Sequence, residues 1–415
     1  MNKMKSMQAK KDITPVQLSE RVEAIPEALS IYINQIVYDL RRRGRDIVSL
    51  SLGEAFFKIP LFDFNKLDIE KCYHYSDSQG IPELRGKIAS FYNEQYGAPV
   101  DADEIIISAG SKPILFMAMQ AILNEGDEVL IHEPAWLSYK EQARLVEAAP
   151  AFIPYDADIS SFGDYVNDRT KMLIINNPNN PSGRLYTHEE LRGIADMANE
   201  HGIFVLVDEA YSDFLLEDEF VSYASVVPDK TNSIVINSLS KNFGMSGWRV
   251  GYAISEPRVV AALLKINQHL ITCAPTILLH YMYRYFDDVT AITLPQVRKV
   301  VEKRARIADM IDRHGLKRLG GESTFYFFIS IDEFGGTSQE FSLHLLLEHG
   351  ISVVPGSAYG DSTERFIRVS IGTESEDRIE NSLKIIKDLS KRKDVSDLNL
   401  NARLKELGFH EFKPS

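Results

Sequence analysis

Lys241 sits in the stretch SLSKNFGMSGWRVG, Ser238–Gly251, among small and apolar residues, and Arg249 follows it from a GWR turn. A solvated helix face reads differently, because lysines there alternate with carboxylates. Burial and neighbouring cations lower an amine's hold on its proton, and a lysine neutral near pH 7 can form a Schiff base with a carbonyl. Ser238 and Arg249 flank it and are suited to a phosphate. The plainer reading of the same residues is a strand, a loop and a surface lysine.

Four other short segments carry polar residues that invite chemistry. AGSK, Ala109–Lys112, opens a helical pattern, so its free backbone N–H groups can hold an anion, although it lacks the spacing of a nucleotide-binding P-loop. Asp208 follows an apolar run and is succeeded by Glu209 and Tyr211. A carboxylate in that setting needs a positive partner, either a protonated ring nitrogen or a structural Arg or Lys. Trp136 in EPAW is either core or a flat platform for an aromatic ring. Asn180 in NNPNNPSG reads alone as turn chemistry. Together the residues offer a phosphate cradle, a ring platform, a carboxylate for a ring nitrogen, a phenol, an amide and a lysine, which is the set that pyridoxal phosphate requires.

The elements that must position these groups are visible as apolar runs. EIIIS, EVLIH, KMLIIN, IFVLVDE, SIVIN and VGYAIS alternate with helical patterns between about residues 75 and 255. One helix, THEELRGIADMANEHG, starts on a Thr187–Glu190 capping box and ends at Gly202. Such alternation predicts a parallel sheet covered on both faces. Five of the runs lead directly into AGSK, EPAW, NNPNNPSG, DEAY and SLSK. Ligands in open parallel sheets bind at the carboxyl ends of the strands, so five polar elements at one rim describe a site.

Beyond this sheet we expect a helix over 23–43, with the RRRGR run at Arg41–Arg45 explained by the helix dipole and a Gly44 cap. From about 295 a charged helix leads into STFYFFISI, HLLLEHGISVVPG and ERFIRVSIG, a smaller α/β lobe. The expected organisation is a polar, mobile N-terminal arm over 1–22, the N-terminal part of a small domain with its linker over 23–70, a large cofactor-binding domain over 71–295, a small C-terminal domain over 296–390 and an amphipathic extension over 391–415. The net charge of −13 argues against nucleic acid or an anionic membrane as partner. Cys72 and Cys273 stand far apart without metal-ligand spacing, which suits a reducing compartment. With no secretory h-region and no membrane-length apolar run, the expectation is a soluble cytoplasmic protein.

The chain resembles the class I/II, aspartate-aminotransferase-like family of the fold-type I pyridoxal-phosphate enzymes over roughly 25–390. SLSKNFGMSGWRVG matches the family pattern S-x-S-K-x-x-x-M-x-G-W-R-x-G at every fixed place, and YSDSQGIPELR, NNPNNPSG, VDEAY and RFIRVS also match the family. The resemblance implies an α/β fold: a large domain with a mostly parallel, seven-stranded sheet between helices, plus a smaller α/β domain. It implies that Lys241 binds the cofactor and shuttles the substrate proton, Asp208 holds the ring nitrogen protonated, and Tyr211 and Asn180 bond the ring oxygen. Trp136 would stack on the ring. Gly110, Ser111 and Lys112, with Ser238 and Arg249, would grip the phosphate. Arg368 would clamp the substrate α-carboxylate, which Gly53 lets the backbone approach, and Tyr75 would reach the phosphate of the neighbouring subunit in a homodimer. Cis bonds are implied before Pro134 and Pro181. The implied reaction moves an amino group from an L-amino acid to a 2-oxo acid, with 2-oxoglutarate the acceptor, by a ping-pong route.

The chain departs from the pattern after Gly53, where GEAFFKIP replaces the usual GEPDF. No arginine is marked for a distal substrate carboxylate; Lys58 is a candidate, against the reading of an exposed lysine. Aspartate, aromatic and alanine-like donors all stay open. A C–S β-lyase, a decarboxylating enzyme or an oxidase on the same scaffold would share these residues. An amino-acid sensor built on the same domain would need an N-terminal DNA-binding module, for which the arm is too short.

Overall fold

The computed structural model describes residues 16–216, 220–396 and 398–409. The expected N-terminal arm lies outside them over 1–15; at its end Glu20–Glu23 forms a single helical turn. Seven strands build the main sheet: β1 (Ile105–Ser108), β2 (Glu128–His132), β3 (Ala149–Ile153), β4 (Thr170–Asn176), β5 (Phe204–Asp208), β6 (Ser233–Ser238) and β7 (Gly251–Ser255). Their order is β1-β7-β6-β5-β4-β2-β3, parallel throughout except β7, which runs antiparallel to both neighbours. Every residue of β2, β5 and β7 is buried, as continuous apolar strands require when helices cover both faces. Strand β3 carries no clear apolar run and contains Pro150; as the sheet's edge it pairs only with β2, where proline is tolerated.

Helix α1 (Leu29–Arg42) is shorter than the 23–43 expected. Pro26 explains the difference, since it biases Ile25 away from helical geometry and separates the isolated turn from α1. Its C-terminus closes as expected: Gly44 adopts φ 83° and its N–H bonds the Arg41 carbonyl at 2.9 Å. The large sheet is flanked by α2 (Pro82–Tyr96), α3 (Ser111–Ile122), α4 (Ser138–Leu145), α5 (His188–His201) and α6 (Pro257–Leu270). The α5 capping box is present, with Glu190 N–H on Thr187 Oγ1 at 3.1 Å and Thr187 N–H on Glu190 Oε2 at 2.9 Å.

Helix α7 runs from Thr276 to Arg313, with non-helical angles at Tyr285 (φ −118°, ψ 17°) and Pro295 inside it. The expected boundary at 295/296 therefore falls within a helix, whose N-terminal part feeds the core under the large sheet through Val289 and whose C-terminal part feeds a second core through Val301 and Ile307. That second core gathers α1, α8 (Ser338–His349), α9 (Glu376–Ser390) and a three-stranded antiparallel sheet of β8 (Tyr326–Ser330), β9 (Val354–Pro355) and β10 (Phe366–Ser370), in the order β9-β10-β8. Arg368 lies mid-strand, opposite Phe328 on one side and Val354 on the other. The C-terminal extension turns back onto this core: α10 (Leu400–Glu406) buries Leu400 and Leu404, Arg403 pairs with Glu348, and Arg43 Nη2 bonds the Leu407 carbonyl at 2.9 Å.

Candidate active site

A cavity of about 230 Å3 opens at the carboxyl rim of the large sheet, closed on one side by β8, β10 and α1. The parallel register brings its groups together. Asn176 at the end of β4 stands opposite Asp208 at the end of β5, and Ser238 ends the neighbouring β6 three residues before Lys241. Peptide bonds Glu133–Pro134 and Asn180–Pro181 are cis, as the resemblance implied, and so is Asn177–Pro178.

One end of the cavity is built for an anion. Among the described residues no side chain caps α3, so the first-turn N–H groups at Ser111 and Lys112 face the opening. Gly110, at φ 99°, sits directly behind: a Cβ there would come within 2.6 Å of Arg249 Nη2. A Cβ on Gly251 would strike the Ser111 nitrogen at 2.3 Å, so two glycines let Arg249 and the start of α3 share one corner. Arg249 holds φ 54° and donates from Nη1 to the Ser246 carbonyl at 2.8 Å, and Ser238 and Ser240 complete the lining. Burial, then the adjacent Arg249, lowers the pKa of the Lys112 amine, whose Nζ lies 4.7 Å from the centroid of the Trp136 ring.

Asp208 occupies the floor. Tyr139 donates to its Oδ2 at 2.7 Å, the Ala210 N–H donates to Oδ1 at 3.1 Å, and Asn176 Nδ2 donates to its carbonyl at 2.7 Å. Burial pushes the Asp208 carboxyl above its usual range, opposed by those two bonds to its carboxylate and by the nearby Lys241 charge. Lys241 Nζ donates to the Gly53 carbonyl at 2.5 Å and lies 5.9 Å from the Tyr211 ring centroid. Burial pulls its amine down to about 8; Arg368 and Arg249 add to this, while Glu54 and Asp208 oppose it. At that value roughly one amine in ten is neutral at pH 7, far more than for an ordinary lysine, which favours a nucleophile or proton carrier.

Arg368 enters from the opposite wall, 4% exposed. Its Nη2 donates to the Ser51 carbonyl at 2.7 Å and its Nη1 to Asn180 Oδ1 at 3.2 Å, while Nε has no partner among the described residues. A buried guanidinium held only by neutral groups is matched to a carboxylate that completes its fork. The arrangement thus presents an anion cradle, a buried acid, a depressed amine and a carboxylate receptor around one small space.

The residues singled out from the sequence line this cavity, apart from Gly110, which backs it, Tyr75 and Lys58. Tyr75 is 85% exposed on the surface of the chain. Lys58 is exposed and away from the cavity, and among the described residues only its backbone is engaged, with Gln296 at 2.8 and 3.1 Å. It is therefore not placed to meet a distal carboxylate within this chain. Sequence reasoning missed Tyr139, Tyr326, Ser30 and Asn34, which also line the cavity. The first two read as ordinary buried tyrosines, and the last two as the polar face of α1, with Asn34 accepting from Ser51 Oγ at 2.9 Å.

Residues 53–386 match the model of the class I and II aminotransferase family. Among similar proteins, an aspartate aminotransferase of Pyrococcus horikoshii is 30% identical over 369 residues, spanning 86% of this chain and 94% of its own. The (5-formylfuran-3-yl)methyl phosphate transaminase of Methanocaldococcus jannaschii is 33% identical over 353 residues, spanning 84% and 93%. The solved structure of a Thermus thermophilus aspartate aminotransferase double mutant superposes with a TM-score of 0.81 at 28% identity, covering 90% of this chain and all of that one. Similarity that runs from Gly53 through β10 and into α9, over relatives matched almost end to end, places the chain in the class I and II aminotransferase family, and it is an aminotransferase.

Proposed function

We propose that the protein uses pyridoxal 5′-phosphate to move an amino group from an L-amino acid to a 2-oxo acid, with 2-oxoglutarate as acceptor, by a ping-pong route through Lys241. The observation that carries this reading is the convergence of a depressed lysine amine, a buried acid and an uncapped helix N-terminus with arginine in one cavity. The donor set fits the group: the Gly110–Arg249 corner suits a phosphate, Asp208 suits a protonated ring nitrogen, and the Trp136 indole suits a ring face. When bound, pyridoxal phosphate supplies an aldehyde for amine exchange and a ring that draws electrons from the substrate Cα.

The chain's own groups do the rest. Ser111 and Lys112 N–H, Ser238 and Arg249 hold the phosphate, and Asp208, braced by Tyr139, keeps a proton on the ring nitrogen. Tyr211 and Asn180 serve the ring oxygen. Arg368 fixes the substrate α-carboxylate with Gly53 close by, which presents the Cα proton to Lys241 Nζ as base. Closure by α1, β8 and β10 limits water around that proton.

A large domain over 71–295 and a small one from 23–70 with 296–390, joined through α7, form the proposed division. The proposed assembly is a cytoplasmic homodimer in which the exposed Tyr75 reaches the phosphate of the second subunit.

Lys241→Ala tests the core of the reading: turnover and the lysine-linked visible absorbance should both vanish, and undiminished turnover would refute it. A C–S β-lyase, an oxidase or a decarboxylase would use the same residues, so 2-oxo acid should be assayed beside ammonia, sulfide and carbon dioxide release. Adding single amino acids to the loaded protein and following the spectrum ranks the donors.

A further inference from the structure

Tyr326 touches three parts of the site at once and lies outside every motif that marks it. It opens β8 and is 1% exposed. Its ring lies under the Arg368 guanidinium, with Cζ 4.5 Å from the ring centroid. Its hydroxyl meets that of Tyr211 at 2.9 Å. Its oxygen also packs against Gly53, where a Cβ would sit 3.1 Å from it, and the Gly53 carbonyl accepts from Lys241.

We infer that Tyr326 is a positioning residue with two separable duties: its ring seats Arg368 for the substrate carboxylate, and its hydroxyl donates to Tyr211 so that the Tyr211 hydrogen points into the cavity. Either hydroxyl of the pair could donate, and what Tyr211 faces sets the direction. Burial raises the pKa of both phenols, so each keeps its proton at neutral pH. Two protonated hydroxyls share one hydrogen bond, and the acceptor keeps its own hydrogen for a third group. Tyr211 is the member that faces Lys241 and Asp208, so Tyr326 must be the donor for Tyr211 to serve a ligand oxygen. The ring's duty rests on the stacked cation: a guanidinium held over an aromatic face keeps its plane and loses less freedom when it binds a carboxylate.

The inference rests on the cofactor reading above, and two variants separate the duties. Tyr326→Phe keeps the ring and removes the hydroxyl. In the cofactor-loaded, full-length protein it should raise the pH midpoint of the visible band by roughly half to one unit, because a weaker Tyr211 donor stabilises the deprotonated form less. Its affinity for succinate and 3-phenylpropanoate, measured calorimetrically on loaded and cofactor-free protein, should stay within about twofold of wild type. Tyr326→Leu, with Tyr326→Met as a second variant should Leu misfold, should weaken both carboxylates by roughly three- to thirty-fold. In kinetics, the Phe variant should lower kcat at unchanged KM and the Leu variant should raise KM. An unmoved midpoint in Tyr326→Phe overturns the hydroxyl's duty, and wild-type carboxylate affinity in the Leu or Met variant overturns the ring's. If wild-type protein takes up no cofactor, the functional reading fails, while the carboxylate arm on cofactor-free protein still decides the ring's duty.

Discussion

Asp208 shows how much of this site depends on the neighbours of its principal groups. Burial favours the protonated acid, and the 2.7 Å bond from Tyr139 is the largest influence in the opposite direction. Tyr139→Phe removes that donor, so the carboxyl should retain its own proton more readily and bind a ring cation less well. Hydrogen bonds to charged groups contribute about 1.5–3 kcal/mol, which corresponds to a loss of about 10- to 150-fold. We expect cofactor affinity by equilibrium dialysis and kcat to fall by that order, with little change in KM for the amino donor. An unaltered dissociation constant would show that Tyr139 does not support Asp208 in holding the cofactor. Lys241, Asp208 and Arg249 are readable from sequence because a charged residue beside an apolar run is out of place there. Tyr139 and Tyr326 are not, because a buried tyrosine is ordinary and only the tertiary fold shows what its hydroxyl meets. The Arg368–Asn180 bond, spanning 188 residues, is hidden for the same reason.

Element by element, the parallel strands are the clearest part of the sequence, since burial on both faces leaves unbroken apolar runs. The elements misjudged are those where a proline carries the signal: β3 with Pro150, the start of α1 at Pro26, and α7, which continues through Pro295. Strand β5 also delivers a second acid that the mechanism does not use. Glu209 is fully buried and accepts from Tyr223 N–H at 2.7 Å, from Ser222 Oγ and, at 3.5 Å, from Tyr92; burial still raises its carboxyl to about 8. The folded protein therefore holds this proton between about pH 4.5 and 8, where the unfolded chain has released it. Its contribution to stability is fully present below about pH 4.5 and is lost as pH rises towards 8. Glu209→Gln imitates the protonated acid, since the Ser222 and Tyr92 hydroxyls can reverse their roles and accept. The Tm of the variant minus that of wild type, both cofactor-free, should grow steadily from pH 5 to pH 8. A constant difference over that range would show that Glu209 is ionised throughout.

At the scale of the whole molecule, the second core is finished by residues far apart in the chain, from α1 at one end to the Leu404 helix at the other. The extension's amphipathic pattern is visible in sequence, but its target is not, because the receiving surface is assembled from α1 and α8. The described part of the extension does not line the cavity, so the site owes its closure to α1, β8 and β10. What the single chain does not bring to the corner of Gly110 and Arg249 is Tyr75, an aromatic residue left 85% exposed beside Tyr73 at 79%. If Tyr75 serves the cavity of a second copy, each site of the dimer combines Lys241 from one subunit with Tyr75 from the other. Tyr75→Phe alone should then weaken the cofactor about tenfold, the loss of one hydrogen bond to a charged group, and Lys241→Ala alone should be inactive. Co-expressed under two affinity tags and purified through both, the mixed dimer pairs an intact Lys241 with an intact Tyr75 in one site and both substitutions in the other. At limiting cofactor it should recover close to half the wild-type rate. If Tyr75 acted within its own chain, every surviving Lys241 would still lack its phenol. The mixed dimer would then perform no better than half of the Tyr75→Phe protein.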